Sequence, residues 1–271
     1  MIRLIKLTTI GLLIVYFSSW GLMAKNLGSE TEIFFDANQA YKNGRFQIAA
    51  DGYLELIENG FDAGHVYYNL GNTYFRLGSL GKAILFYERA RLLIPRNDDL
   101  AFNLSYAKEQ VVDAVDEQQR ISMLNISGLD SLNWQETFFI FTITNIFFFS
   151  ILGIRLVKEA DWSYYLFILS AIIFSICACV LFIKWYGTIS DDRAVVLSEE
   201  ALVRAGPDIK DTVLFKLHEG TVVHYERKED NWALLNLSKD KRGWVESIHV
   251  EQIAKIERKD KNAAPFSERR L

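Results

Sequence analysis

GHVYYNLGNTYFRLGSLGKAILFYERARLLIPRN, residues 64 to 97, places Tyr67, Leu70, Gly71, Tyr74, Ala83, Tyr87, Ala90 and Pro95 at the spacing of a two-helix unit that repeats every 34 residues. In such a unit the helices run antiparallel, and small residues mark their closest approach. Gly71 and Ala83 are expected at that crossing, with the large side chains filling the gap beside them. The frame continues on both sides. Ala37, Gly44, Ala49 and Tyr53 fall under Gly71, Gly78, Ala83 and Tyr87, so Glu30 to Gly60 reads as a second, more divergent copy. Leu104 and Ser105 fall under Leu70 and Gly71, and the polar run after Gln110 replaces the rest of the unit, as expected of a solvating cap helix.

The spacing resembles the tetratricopeptide repeat (TPR). That implies an all-α TPR solenoid over residues 30–117, two repeats plus a capping helix, close to the minimum that buries a shared core. By the resemblance, the concave surface takes positions 2, 5, 9, 12 and 13 of each inner helix. Here positions 5, 9, 12 and 13 give Phe34, Asn38, Tyr41 and Lys42 in the first unit, and all five give His65, Tyr68, Asn72, Phe75 and Arg76 in the second. Asn38 and Asn72 share one position, so their amides are candidates to hold an extended peptide backbone while the rings supply apolar contact. The competing structural role, bonding to neighbouring turns, is expected of Asn69 and Asn103. TPRs that clamp a C-terminal carboxylate carry basic residues where this chain has Phe34, Asp99 and Asn103, so a free C-terminal acid is not the expected ligand.

With 271 residues, 50% hydrophobic and 24% charged, the chain is too apolar for one soluble domain and too charged for a polytopic transporter. Its apolar residues are therefore segregated. Residues 1–24 carry Arg3 and Lys6 ahead of an uncharged apolar run, the pattern of a signal peptide or an uncleaved N-terminal anchor. Residues 134–157 and 162–186 read as two transmembrane helices forming a hairpin, each near the ~20 residues a hydrocarbon core requires. Trp134, Trp162, Tyr164, Tyr165, Trp185 and Tyr186 mark the interfaces. The RLVKEAD loop between the spans holds Arg155 and Lys158, and the positive-inside rule assigns it to the cytoplasm. Both soluble parts are then expected on the periplasmic side of an inner membrane, with residues 118–133 as a linker. Asn145 is expected to hydrogen-bond a neighbouring helix, and Cys177 and Cys179 to pack as small apolar groups. Neither span carries a deep ionisable residue of the kind transport pathways use.

Residues 194–254 alternate as short strands, with turns expected at Gly206-Pro207, Glu219-Gly220, Asp230-Asn231 and Arg242-Gly243. The blocks Ala201-Leu202-Val203-Arg204 with Gly206-Pro207, Leu217-His218-Glu219-Gly220-Thr221, Trp232, and Gly243-Trp244-Val245 resemble a bacterial SH3 domain. The resemblance implies an all-β SH3-like barrel, with glycines at positive φ in the turns and buried Trp232 and Trp244 holding it together. Residues 255–271 read as a flexible charged tail.

The order of parts, a signal, a TPR pair, a membrane hairpin and a terminal SH3-like domain, resembles the BatE-like members of the Bat (Bacteroides aerotolerance) operon family. The resemblance implies a multidomain membrane protein acting as a non-catalytic envelope scaffold. Its implied neighbours are other Bat-type proteins with von Willebrand A domains and a MoxR-type ATPase, and its implied setting is aerotolerance or stress tolerance. The alternative is a cell-wall-binding protein that grips peptidoglycan through its SH3-like domain. No catalytic residue, cofactor or metal is expected: His65, His218, His224 and His249 are scattered, without an HExxH, GxSxG, P-loop or CxxC spacing. A net charge of −4 argues against nucleic acid as partner.

Overall fold

The computed structural model describes residues 27–113, 131–157, 161–238 and 241–254. The expected signal or anchor over 1–24, most of the 118–133 linker, Lys158 and the tail over 255–271 lie outside the described residues. The chain divides into two compact units, one ending at Asp62 and the next beginning at Ala63.

The first unit holds α1 (Leu27–Lys42) and α2 (Phe46–Glu58). Gly44, at φ +73°, stops α1 in the left-handed conformation, and Arg45 N–H donates to the Ala40 carbonyl at 2.9 Å. The two helices meet through small side chains, and Gly52 approaches Ala37 so closely that a Cβ there would lie 3.1 Å from the alanine methyl.

The second unit opens with α3 (Gly64–Arg76), α4 (Leu80–Leu93) and α5 (Asp98–Glu109). The stop is repeated 34 positions on. Gly78 has φ +80°, and Ser79 N–H donates to Tyr74 O at 3.0 Å. Gly71 marks the α3–α4 crossing, as expected: a Cβ there would fall 2.5 Å from the Tyr87 ring. Helix α5 starts under a polar cap, with the Asn97 side chain accepting from Leu100 N–H at 2.8 Å and Asp98 and Asp99 in the first turn complementing the dipole.

Helices α6 (Trp134–Val157) and α7 (Asp161–Ile189) are both long and apolar enough to cross a membrane. They pack on each other through Phe148, stacked on Phe174 at 5.1 Å and tilted against Phe167 at 5.7 Å. Their outer faces present Phe138, Phe147, Tyr165 and Phe182, each more than half exposed. Helix α7 outruns the expected span at both ends. Helix α6 coincides with the expected 134–157 span, so the start of the RLVKEAD stretch is helical: Arg155 belongs to the last turn of α6, where its guanidinium lies 4.8 Å over the Tyr164 ring.

Seven strands follow: β1 (Arg193–Val196), β2 (Glu200–Arg204), β3 (Val213–His218), β4 (Val222–Glu229), β5 (Trp232–Ser238), β6 (Lys241–Glu246) and β7 (Val250–Gln252). They form one antiparallel sheet in the order β3-β2-β6-β5-β4-β1-β7. Two expectations are corrected. The core consists of aliphatic side chains, among them Val196, Val203, Leu217, Leu235 and Val245, and not of a tryptophan pair. Trp232 is only half-buried, and Trp244, though buried, lies outside that cluster beneath Arg227. Arg242-Gly243 lies within β6 and is no turn. Gly243 is required there by close approach, since a Cβ would meet Val203 at 2.4 Å and the Arg204 carbonyl at 2.8 Å. Gly220, at φ +85°, and Asp230, at φ +49°, occupy the expected β3–β4 and β4–β5 turns.

Candidate functional site

Each unit carries the same polar pin. Tyr53 donates its hydroxyl to Asn38 Oδ1 at 2.7 Å, and 34 positions later Tyr87 donates to Asn72 Oδ1 at 2.7 Å. Both tyrosine rings are buried, so each hydroxyl is satisfied where an unpaired one would be costly. Residues 64–97 match the family model described as a tetratricopeptide repeat. No curated protein matches the chain. The TPR repeat over 64–97 therefore agrees with the two-helix unit seen at α3 and α4. TPR modules bind protein partners across their stacked helices.

The expected groove residues divide between the units. In the first, Phe34 tilts against Tyr53 at 6.1 Å, Tyr41 stands edge-on to Phe46 at 5.4 Å, and Lys42 is exposed. In the second, His65 and Arg76 are exposed, while Tyr68, Asn72 and Phe75 are partly buried beside α5. Asn103 of α5 donates from Nδ2 to Tyr68 Oη at 3.1 Å and to Asn72 Oδ1 at 2.9 Å, and Tyr106 lies 5.8 Å from the Phe75 ring. The structural role expected of Asn69 and Asn103 thus extends to Asn38 and Asn72, whose carbonyl oxygens are occupied within the fold. For Asn72 the Nδ2 amine is the end left to meet a ligand among the described residues. Helix α5 also departs from a purely solvating cap, because Phe102 is 69% and Tyr106 52% exposed. The rings are visible in the sequence, but that they face outward is not.

Helix α4 is buried without interruption from Ala83 to Ala90, charged residues included. Glu88 is fully buried, with Oε2 2.6 Å from Arg91 and 3.1 Å from Arg193 of β1, and Oε1 3.0 Å from Lys108 of α5. Burial opposes its ionisation, yet the three cations outweigh that cost and hold the carboxyl below the ordinary glutamate range. Arg89 pairs with Glu251 at 2.8 Å. Asp113, just past α5, accepts from His218 N–H and from the Thr221 hydroxyl, both at 2.7 Å, and lies 2.8 Å from His218 Nδ1. Desolvation raises its pKa, and these hydrogen bonds together lower it further than that.

Two further histidines are each tied to a side-chain partner. His224 Nδ1 lies 2.9 Å from Asp192, and His249 Nδ1 lies 2.6 Å from Ser198 Oγ. The Ser198–His249 pair has no carboxylate on the other ring nitrogen among the described residues, so the third member of a nucleophilic triad is missing. No group of three or more metal-ligating side chains occurs among the described residues. What the arrangement does offer is a ring-lined surface on α3 and α5 with exposed polar groups at its edges, which is suited to binding.

Proposed function

We propose that the chain is a membrane-anchored, non-catalytic scaffold whose TPR module binds a protein partner within a Bat-type envelope complex. The match over residues 64–97 carries the protein-binding part of this reading. Helices α6 and α7 support anchoring, since their length and outward apolar faces suit a hydrocarbon solvent. Arg155 at the end of α6, with Arg3 and Lys6 near the N-terminus, supports an orientation that leaves the TPR module and the sheet on the periplasmic side. The sheet, an SH3-like barrel in this reading, presents the charged run Glu226 to Asp230 and few exposed rings, which favours a protein partner over wall peptides. The neighbours expected are the von Willebrand A proteins and the MoxR-type ATPase that the family resemblance implies.

Affinity purification from detergent-solubilised membranes tests this. The wild-type chain is expected to retain an envelope protein, and His65→Ala with Arg76→Ala to reduce its recovery by about tenfold, the effect of removing one interface hot spot worth about 1.4 kcal/mol. Both side chains are exposed, so the fold should be kept. Equal recovery by the two chains refutes the groove as the binding surface.

A further inference from the structure

An isolated two-helix repeat has one face to bury and leaves the other to solvent. Helix α4 does not: the sheet covers what α3 and α5 leave open, and it does so along the helix from end to end. At the N-terminus, Ser79 holds the capping position but makes no side-chain cap. The Gly81 N–H donates instead to Glu219 Oε1 on the β3–β4 turn, 2.9 Å away and 138 positions along the chain. A helix normally satisfies such an orphan donor locally. In the middle of the helix, Glu88 meets Arg193 of β1. At the C-terminal side, Arg89 donates to the Ile253 carbonyl at 3.2 Å, to the Gln252 carbonyl at 3.0 Å and to Glu251 Oε1 at 2.8 Å. Asp113 then joins the chain after α5 to His218 and Thr221. The fit is close. A Cβ on Gly81 would stand 2.4 Å from the Val196 carbonyl oxygen, and one on Gly220 would stand 2.9 Å from Ile84.

We propose that the C-terminal sheet is the intramolecular partner of the TPR repeat at α3 and α4, capping and clamping α4 so that the helices α3 to α5 and the sheet work as one body. This goes beyond the scaffold reading and stands whether or not that reading holds. The apolar complement and the charges both match: a turn carboxylate faces a helix N-terminus, an arginine of β1 faces a buried glutamate, and the carbonyls of β7 and Ile253 face an arginine of α4. The β1 and β7 strands and the β3–β4 turn are then committed, and a ligand of the sheet must use another surface. If the hairpin crosses a bilayer, both parts lie on the same face of it.

Hydrogen exchange on the full chain in detergent separates this from two independent modules by the sign of one substitution. Alanine is a better helix former than glycine, so Gly81→Ala would slow exchange in a free-standing α4. Against the Val196 carbonyl it is expected to speed exchange of α4 amides by about tenfold while β5 and β6 remain protected. Slower or unchanged exchange in α4 overturns the proposal. Glu219→Ala, which adds no bulk, covers the case in which Gly81→Ala does not fold. It is expected to speed exchange in the first turn of α4, and no change there likewise overturns the proposal.

Discussion

Replacing Glu88 with glutamine removes the one anion that Arg91, Lys108 and Arg193 share, while keeping the shape of the side chain. Stripping one partner from a buried ion pair costs about 3–5 kcal/mol. Three observations reduce that figure here. The Arg91 side chain is 42% exposed, Lys108 and Arg193 are each 24% exposed, and Arg193 keeps Asp191 at 2.7 Å, so the abandoned cations regain water or another carboxylate. With that solvent relief the expected loss is about 2 kcal/mol. Native-state hydrogen exchange on the full chain reads this as opening of α4 and β1 amides raised roughly 30-fold at neutral pH. The pH dependence adds a second condition. The Glu88 carboxyl is held below its ordinary 4.5 in the folded chain, so its contribution is complete above that value and is lost as pH falls through the folded value. Wild type and variant should therefore converge on acidification. A difference of less than about threefold at neutral pH, or a gap that widens in acid, would refute the assignment of Glu88 as a hub between helix and sheet.

Gly71→Ala should lower the thermal midpoint followed by circular dichroism. The new Cβ meets the Tyr87 ring at 2.5 Å, which corresponds to overpacking of about 1–3 kcal/mol. A raised midpoint, as for alanine in an open helix, would show that the α3–α4 crossing is looser than described. Protease added to spheroplasts should degrade both the TPR module and the sheet while a tag placed after Lys158 survives, and protection of either module would overturn the proposed orientation.

The repeat was legible because its determinants are local and recur. Gly44 and Gly78 stop equivalent helices, and the Asn38–Tyr53 and Asn72–Tyr87 pins fall in the same 34-residue frame. The two apolar helices were legible from composition, though α7 runs on to Ile189 because Gly187 and Thr188 neither cap nor break it. Gly243 misled because a glycine admitting a neighbouring backbone looks, in sequence, like a glycine making a turn. The tryptophans misled because ring area was assumed to lie at the centre, whereas valine, alanine and leucine on alternating strand positions fill it. At the groove, the residue types were legible but their hydrogen bonds were not: the oxygens of Asn38 and Asn72 are taken by tyrosines fifteen positions on. Glu88 was invisible as a hub. Its Arg193 partner lies 105 positions away, beyond any local periodicity.

That separation also has a consequence in time. Arg193 emerges only after both apolar helices have been made, and at about 5–20 residues per second of synthesis the interval is roughly 5–20 s. During that wait the nascent α4 has no sheet against it. Glu88 nevertheless has Arg91 one turn along its own helix and Lys108 on α5, two cations available almost as soon as the carboxylate itself. The charge is thus neutralised in two stages, an early local one and a late distant one. The young repeat does not have to keep a naked carboxylate on an apolar helix while the rest of the chain is delivered.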